Sequence, residues 1–307
     1  MSDFLVKLLA PQRTTHVVDV GANPIDGDPP YKHMLAQSLC SVTGFEPQAD
    51  ALAKLKRNKG SLETYLPYVI GRGGPAELKV CRYPGWTSLL QPRQAALQVF
   101  PQFQSNASVT SYVPVHTHRL DEVAELAPFD FLKIDVQGAE LDVFEGARQH
   151  LQHAVAIQTE VSFVALYEGQ PTFGVIDQTL RSMGFVPHCF AGVKNWPIAP
   201  LGMPQGEGAP PPHQLLEADV VYVKDFIDPV TMSSEQLKHL ALLMHHCYAS
   251  VDLVGRCIDL LQRQSAVPAD TLQRYVDHLN QGKQLNASPA PHLPPEPEKL
   301  SQMNLEL

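Results

Sequence analysis

The chain has 307 residues, of which 44% are apolar and 18% charged, and a formal net charge of −9. That length and composition suit a folded globular protein of one large domain or one domain with appendages. The acidic balance argues against a broad nucleic-acid surface, and no apolar run reaches the ~20 residues of a membrane span.

The opening "MSDFLVKLLAPQ" carries one lysine and an apolar stretch broken by Pro11. It reads as a short helix and not as a secretion signal. "HVVDVG" is a short apolar strand ended by Asp19 and Gly21. "DPPYKHMLAQSL" is expected as a helix, with Asp28 as N-cap and Pro29 at its first position. "CSVTGFEP" and "QADALAKLKRN" continue as strand and helix. "YLPYVIG" reads as a third strand, and "AELKVCRY" as a further strand or hairpin. The segment from Thr87 to Ser111 is weakly patterned and expected to cover the sheet edge or the active site.

"FDFLKIDVQG" is a nearly continuous apolar run ending in Asp135, as expected of a strand buried on both faces of a parallel sheet. "AELDVFEGARQHL" is an amphipathic helix, "AVAIQTEVSF" a fifth strand, "FGVIDQTLRSMG" a helix closed by Gly184, and "FVPHCF" a sixth strand. A Pro- and Gly-rich loop from Gly192 to Gln214 leads to "ADVVYVKD", a clear strand. The alternation predicts an α/β fold with a doubly wound, mostly parallel sheet, and the last two strands form an antiparallel pair.

The last third differs. From Glu235 to Gln264 the apolar residues Leu237, Leu240, Met244, Cys247, Val251, Val254, Ile258 and Leu261 alternate spacings of three and four, which predicts one long helix with a heptad-like stripe. That stripe docks on the main domain or forms a homodimer seam. "PADTLQRYVDHL" is a shorter helix, and the proline-rich tail is expected to be disordered. The expected organisation is a main domain over 1–228, a helical extension over 229–281 and a tail over 282–307. Five scattered cysteines without a CxxC pair predict a reduced, cytoplasmic protein without a disulfide frame or structural zinc.

In open parallel sheets, ligands bind beyond the carboxyl ends of the strands. Asp19, Glu46 and Asp135 fall there. An acid ending the second strand can accept both hydroxyls of a ribose, so Glu46 suits any adenosine-bearing cofactor. The loop "VVDVGANPIDGDPP" discriminates further. It lacks the G-x-G-x-x-G spacing that a pyrophosphate needs, and Pro24 removes an amide donor. Asp19 before the loop repels phosphate but suits the ammonium and sulfonium of S-adenosylmethionine. A nicotinamide-dependent oxidoreductase, which shares the alternation and Glu46, is disfavoured on the same ground.

"VVDVGAN", "GFEP", "VHTHRLDE" and "FDFLKIDVQGAELDVFEGA" together resemble the motifs of FkbM-type methyltransferases, over roughly Val17 to Phe190. The resemblance implies the class I, Rossmann-like methyltransferase fold, S-adenosylmethionine as cofactor, and methyl transfer to a hydroxyl of a sugar, glycan or secondary metabolite. Two positions depart from the family pattern. Ile25 stands where a glycine is common, and Gln137 where glutamate is frequent. A non-catalytic binding or scaffold protein on the same fold is the competing reading.

The expected cofactor contacts are Asp19, Gly21, Ala22, Asn23, Glu46 and Asp135. Asp135 also sits where donor and acceptor would meet, and Glu160 and His188, at or near strand ends, are candidate bases. Residues 24–28 read as a rigid spacer covering the methionine end or narrowing the acceptor entrance. His116 and His118 share a face if extended, but no third ligand is evident and no metal is expected. Trp86 reads as a packing residue, and Glu140 and Asp142 as first-turn acids that complement a helix dipole.

Overall fold

The computed structural model of the chain describes residues 3–23, 27–201, 211–228 and 232–281. It begins with α1 (Phe4–Leu9), β1 (Thr15–Val20), α2 (Lys32–Ala36), β2 (Cys40–Phe45), α3 (Ala49–Asn58) and β3 (Glu63–Leu66). β4 (Val69–Ile70), β5 (Gly74–Cys81), α4 (Gln94–Val99) and β6 (Val109–His118) follow. Then come β7 (Phe131–Ile134), α5 (Glu140–Glu145), β8 (Ala156–Ser162), α6 (Phe173–Ser182), β9 (Phe185–Trp196) and β10 (Gln214–Lys224). The helices α7 (Ser234–Tyr248), α8 (Val251–Arg263) and α9 (Thr271–Asn280) end the described chain.

Seven strands form the main sheet in the order β3-β2-β1-β7-β8-β10-β9. β10 lies antiparallel between β8 and β9, and the pairings among β3, β2, β1, β7 and β8 are parallel. This is the expected doubly wound sheet with an antiparallel last strand, in the strand order of class I methyltransferases. One face packs on α5 and α6 through Val143, Phe144, Ile176 and Leu180. The other packs on α1, α7 and α8.

The register brings three strand ends level. Val20 lies opposite Phe45 on one side and Ile134 on the other, and Ile134 lies opposite Thr159. The next residues, Gly21, Glu46, Asp135 and Glu160, therefore emerge in one row at the carboxyl edge.

Several expectations change in detail. The helix expected from Asp28 begins only at Lys32, and Tyr31 occupies the cap position without a side-chain bond. Pro29 and Pro30 form the preceding turn, where the Pro29 carbonyl accepts the Lys32 amide, and Asp28 pairs with Lys32 instead of capping. The third strand is split at Pro67, which has no N–H for a ladder. Its second part, β4, joins a separate three-stranded sheet, β4-β6-β5. β9 runs on to Trp196, so the loop expected from Gly192 starts later. The tail from residue 282 lies outside the described residues.

The single C-terminal helix is two helices. Ala249 turns left-handed at φ 52°, and α8 then packs against α7. The stripe spacing survives because the break falls between Cys247 and Val251, where a step of four keeps the helical phase. Leu237, Leu240, Met244, Cys247, Val254, Ile258 and Leu261 are all buried in one cluster with α1 and the sheet. The residues that offered a dimer seam are thus buried within the chain's own core.

The N-terminal helix is clamped by this layer. Asp3 Oδ1 lies 3.4 Å from His246 Nε2, and Phe4 stacks on His278 with ring centroids 3.9 Å apart. His245 Nδ1 is 3.1 Å from the Tyr275 hydroxyl. Burial, with His246 alongside, pushes His245 down to about 4 from its ordinary 6.5. The folded protein therefore keeps this ring neutral while the unfolded chain protonates it. Its contribution to stability is present above the unfolded value and is lost as pH falls toward the folded one. Replacing it by His245→Phe should remove that dependence. In urea unfolding from about pH 7 to about pH 4.5, the parent should lose stability relative to the variant as pH falls. Parallel curves would show that His245 is not the group concerned.

Candidate active site

A cleft of about 780 Å³, counting its open mouth, lies at the carboxyl ends of β1, β2 and β7. Gly21, Asn23, Glu46, Asp135 and Gln137 supply its polar floor, and Phe45, Tyr68, Ile70 and Leu89 are among its apolar walls. Among the described residues, the only charged side chains lining it are the acids Glu46 and Asp135.

Local bonds fix the floor. The amides of Gly21 and Ala22 both donate to the Phe45 carbonyl at 3.1 Å, and the Asp135 amide donates to Val20 at 3.0 Å. Gly21 has φ +82°, and a Cβ there would sit 2.0 Å from the Asp135 carbonyl oxygen. Only glycine lets the first loop pass this close to β7.

Glu46 is 3% exposed and accepts the Gln48 amide at 2.7 Å, with the Asn23 amide also bonded to it. Burial raises it above the ordinary carboxylate range, against the pull of those amides. A carboxylate so held presents acceptor lone pairs, which suits a pair of ribose hydroxyls.

Asp19 lies one step back, inside β1, and does not line the cleft. The Tyr31 hydroxyl donates to its Oδ2 at 2.6 Å, and Lys133 Nζ lies 3.5 Å from Oδ1. Burial raises Asp19, and Lys133 opposes the rise. Ala22 turns its methyl into a small apolar cluster with Leu52 and Tyr65.

The turn after β7 is strained and heavily bonded. Gln137 adopts φ +55° and Gly138 φ +97°. A non-glycine residue in that region costs roughly 1–2 kcal/mol, and here the neighbours hold it. Ser88, 1% exposed, donates its hydroxyl to the Gln137 carbonyl at 2.7 Å. The Gln137 amide Nε2 donates to Asp135 Oδ1 at 2.7 Å, and the Tyr167 hydroxyl donates to its Oε1 at 3.3 Å. Glu140, expected as a dipole-complementing acid, folds back and accepts the Val136 and Gly138 amides at 3.1 Å each. Its burial pushes it up to about 7. Asp142, by contrast, faces Arg72 at 2.7 Å.

Of the two candidate bases, Glu160 sits beside this turn. Lys194 donates to its Oε1 at 2.6 Å, and Gln137 Nε2 lies 3.5 Å from Oε2. Burial, then Glu217, raises Glu160, and Lys194 opposes them. His188 does not reach the cleft. Because β9 continues to Trp196, His188 is near the strand's start, where Nε2 lies 2.9 Å from the Ser250 hydroxyl at the α7–α8 turn.

The weakly patterned segment contributes Thr87, Ser88 and Leu89 to the lining. Trp86 instead packs against Phe103 and Tyr167, with centroids 5.1 and 5.6 Å away. His116 and His118 meet edge to face in the small sheet, and no group of metal-ligating side chains occurs among the described residues. Of the spacer at residues 24–28, Pro24, Ile25 and Asp26 lie outside the described residues. Sequence reasoning missed Ser88, Lys133, Tyr167 and Lys194, and noted Gln137 only as a departure from the family pattern. The quoted motifs had put Lys133 and Gln137 on either side of Asp135.

A family model, the Methyltransferase FkbM domain, matches residues 19–187. A 2-O-methyltransferase, NoeI, from Sinorhizobium fredii is 28% identical over 192 residues, covering 58% of this chain and 76% of that protein. Among solved structures, the precorrin-6y C5,15-methyltransferase of Geobacter metallireducens GS-15 covers 72% of this chain and 85% of its own, at 10% identity and TM-score 0.33. M. capricolum TrmK in complex with S-adenosyl-homocysteine covers 90% and 98%, at 7% identity and TM-score 0.31. At such scores the fold rests on the strand order described above, not on these neighbours.

Adding a methyl at the closest backbone crossing tests the floor directly. Gly21→Ala should cost ~3 kcal/mol of stability, as strain at a special φ and a backbone clash combine. Chemical denaturation measures this. A cost below ~0.5 kcal/mol would show that the loop does not need the glycine.

Proposed function

This chain belongs to the FkbM methyltransferase family and is an S-adenosylmethionine-dependent methyltransferase, and we propose that its acceptor is a hydroxyl of a sugar, a glycan or a secondary metabolite. The observation that carries the reading is the cleft at the level ends of β1, β2 and β7, lined, among the described residues, by the acids Glu46 and Asp135 and by no basic side chain. Such a lining suits a nucleoside bearing positive charge. It offers no cation to a dinucleotide's pyrophosphate, which disfavours the oxidoreductase alternative.

In this reading Glu46 holds the ribose hydroxyls, Gly21 and Asn23 shape the floor, and the apolar walls take the adenine. The cofactor supplies an electrophilic methyl group on a sulfonium. The protein positions the acceptor and excludes water. As the oxygen–carbon bond forms and the carbon–sulfur bond breaks, the hydroxyl proton leaves, and Asp135 is the cleft carboxylate able to take it. Glu160, tied to Lys194, stands one position further along the row and serves as its support. The hydroxyl acceptor is also what the name of the Sinorhizobium fredii relative specifies for that protein. No helix among the described residues is long and apolar enough to cross a membrane. Five cysteines that form no disulfide fit a reducing, cytoplasmic compartment.

Calorimetry with S-adenosylmethionine and with NADH tests the cofactor site. Glu46→Ala should weaken S-adenosylmethionine binding by about tenfold or more, the worth of a hydrogen bond to a charged group. Unchanged affinity would place the ribose elsewhere. Transfer of labelled methyl to glycosides with free hydroxyls, and not to their fully O-methylated forms, tests the acceptor. Labelling of amines alone would overturn the hydroxyl assignment.

A further inference from the structure

Among the described residues, Gln137 is the one non-glycine residue of the cleft lining that is held left-handed. Nothing in its own side chain favours φ +55°, since an amide on a two-carbon stem gains nothing there that asparagine or glycine would not. The conformation is bought by three external contacts: Ser88 on its carbonyl, Tyr167 on its Oε1, and its own Nε2 on Asp135 Oδ1. The last of these is the shortest bond that the Gln137 side chain makes, at 2.7 Å. It leaves Asp135 Oδ2 without a hydrogen bond to any described residue.

The surroundings give that bond a purpose. Charged groups surround that bond: Glu160 accepts from Lys194 at 2.6 Å and feels Glu217 and Asp219, and Lys133, 3.5 Å from Asp19, also feels the charges of Asp135 and Asp219. An unanchored Asp135 carboxylate could turn toward Lys133. The Gln137 amide, a neutral donor wedged between Asp135 and Glu160, holds it away from both neighbours.

We propose that Gln137 is a positioning residue that turns Asp135 Oδ2 into the cleft as the counter-charge to the cofactor's sulfonium, so that the site prefers the charged donor over its neutral thioether product. The inference rests on the cofactor-site reading above. A carboxylate aimed at a cation attracts it, and the same carboxylate gains nothing from a thioether. Misaiming the carboxylate therefore removes affinity for the donor and leaves affinity for the product.

The test is calorimetry of the full chain with S-adenosylmethionine and S-adenosylhomocysteine, with no acceptor needed. Gln137→Met keeps the side-chain length and deletes the donor. Gln137→Gly deletes the side chain and relaxes the backbone, so it keeps the test open should the first variant fold poorly. Both should shrink the ratio of donor to product affinity by about tenfold, with product affinity nearly unchanged. In an Asp135→Asn background the same substitutions should leave the ratio alone, since the effect runs through that carboxylate. An unchanged ratio in both single variants, an equal loss for both ligands, or an undiminished effect in the Asp135→Asn background would each overturn the proposal. Failure of the parent itself to bind S-adenosylmethionine would instead overturn the reading on which it rests.

Discussion

The site depends on one backbone crossing. After β1 the chain turns over the end of β7 so closely that a methyl group on Gly21 would lie 2.0 Å from the Asp135 carbonyl oxygen. The crossing is possible because parallel pairing on both sides of β1 brings Val20 level with Phe45 and with Ile134. Two amides of the turning loop then spend their hydrogen bonds on Phe45, and Val20 accepts the amide of Asp135. With these three amides committed, Glu46 and Asp135 are delivered to one floor. The cleft is a consequence of register before it is a consequence of side chains.

Electrostatics then separate two kinds of acid. Glu46 and Asp135 line the cleft, and among the described residues no lysine or arginine joins them in that lining. Asp19 and Glu160 are placed almost as close to the strand ends, but each has a lysine: Lys133 at 3.5 Å and Lys194 at 2.6 Å. Buried carboxylates without a partner are expensive, and pairing is the usual remedy. The unpaired acids are the ones whose missing partner is best supplied by a ligand carrying hydroxyls or positive charge.

Much of this was legible in the sequence, and the reasons it stopped are specific. Strand-ending acids could be read because apolar runs end where the sheet ends, which located Glu46 and Asp135. The same rule misplaced His188, because β9 continues past it to Trp196 through residues too polar to look like a strand. Asp19 followed the rule but belongs to the strand's interior, where alternation turns it toward Tyr31 and Lys133 rather than the cleft. The break at Ala249 was invisible because the apolar phase of α7 resumes in α8 without a slip. Ser88 and Tyr167 reach the cleft turn from distant parts of the chain, and no local pattern announces such contacts.

The alternation of the strands explains how one sheet serves both stability and chemistry. On the face covered by α1, α7 and α8, the lower residues are apolar: Val17, Phe131, Ala156, Val221 and Val223 share one buried cluster. Two residues further toward the carboxyl edge of the parallel strands, and two back along antiparallel β10, the same face carries Asp19, Lys133 and Asp219, with Gln158 and then Glu160 on β8. The opposite face shows no such change. Val18, Val20, Leu132, Ile134, Ile157, Val220 and Ala218 remain in an apolar cluster to the strand ends. Polarity therefore switches on this face at the level of Asp19, Lys133 and Gln158 on three adjacent strands, and one step later on β10, where Val221 lies opposite Gln158 and Asp219 opposite Glu160. The charged band is itself buried, with Asp19 held by Tyr31 and Lys133 and Glu160 by Lys194, so pairing and not solvent offsets the cost of placing ions there.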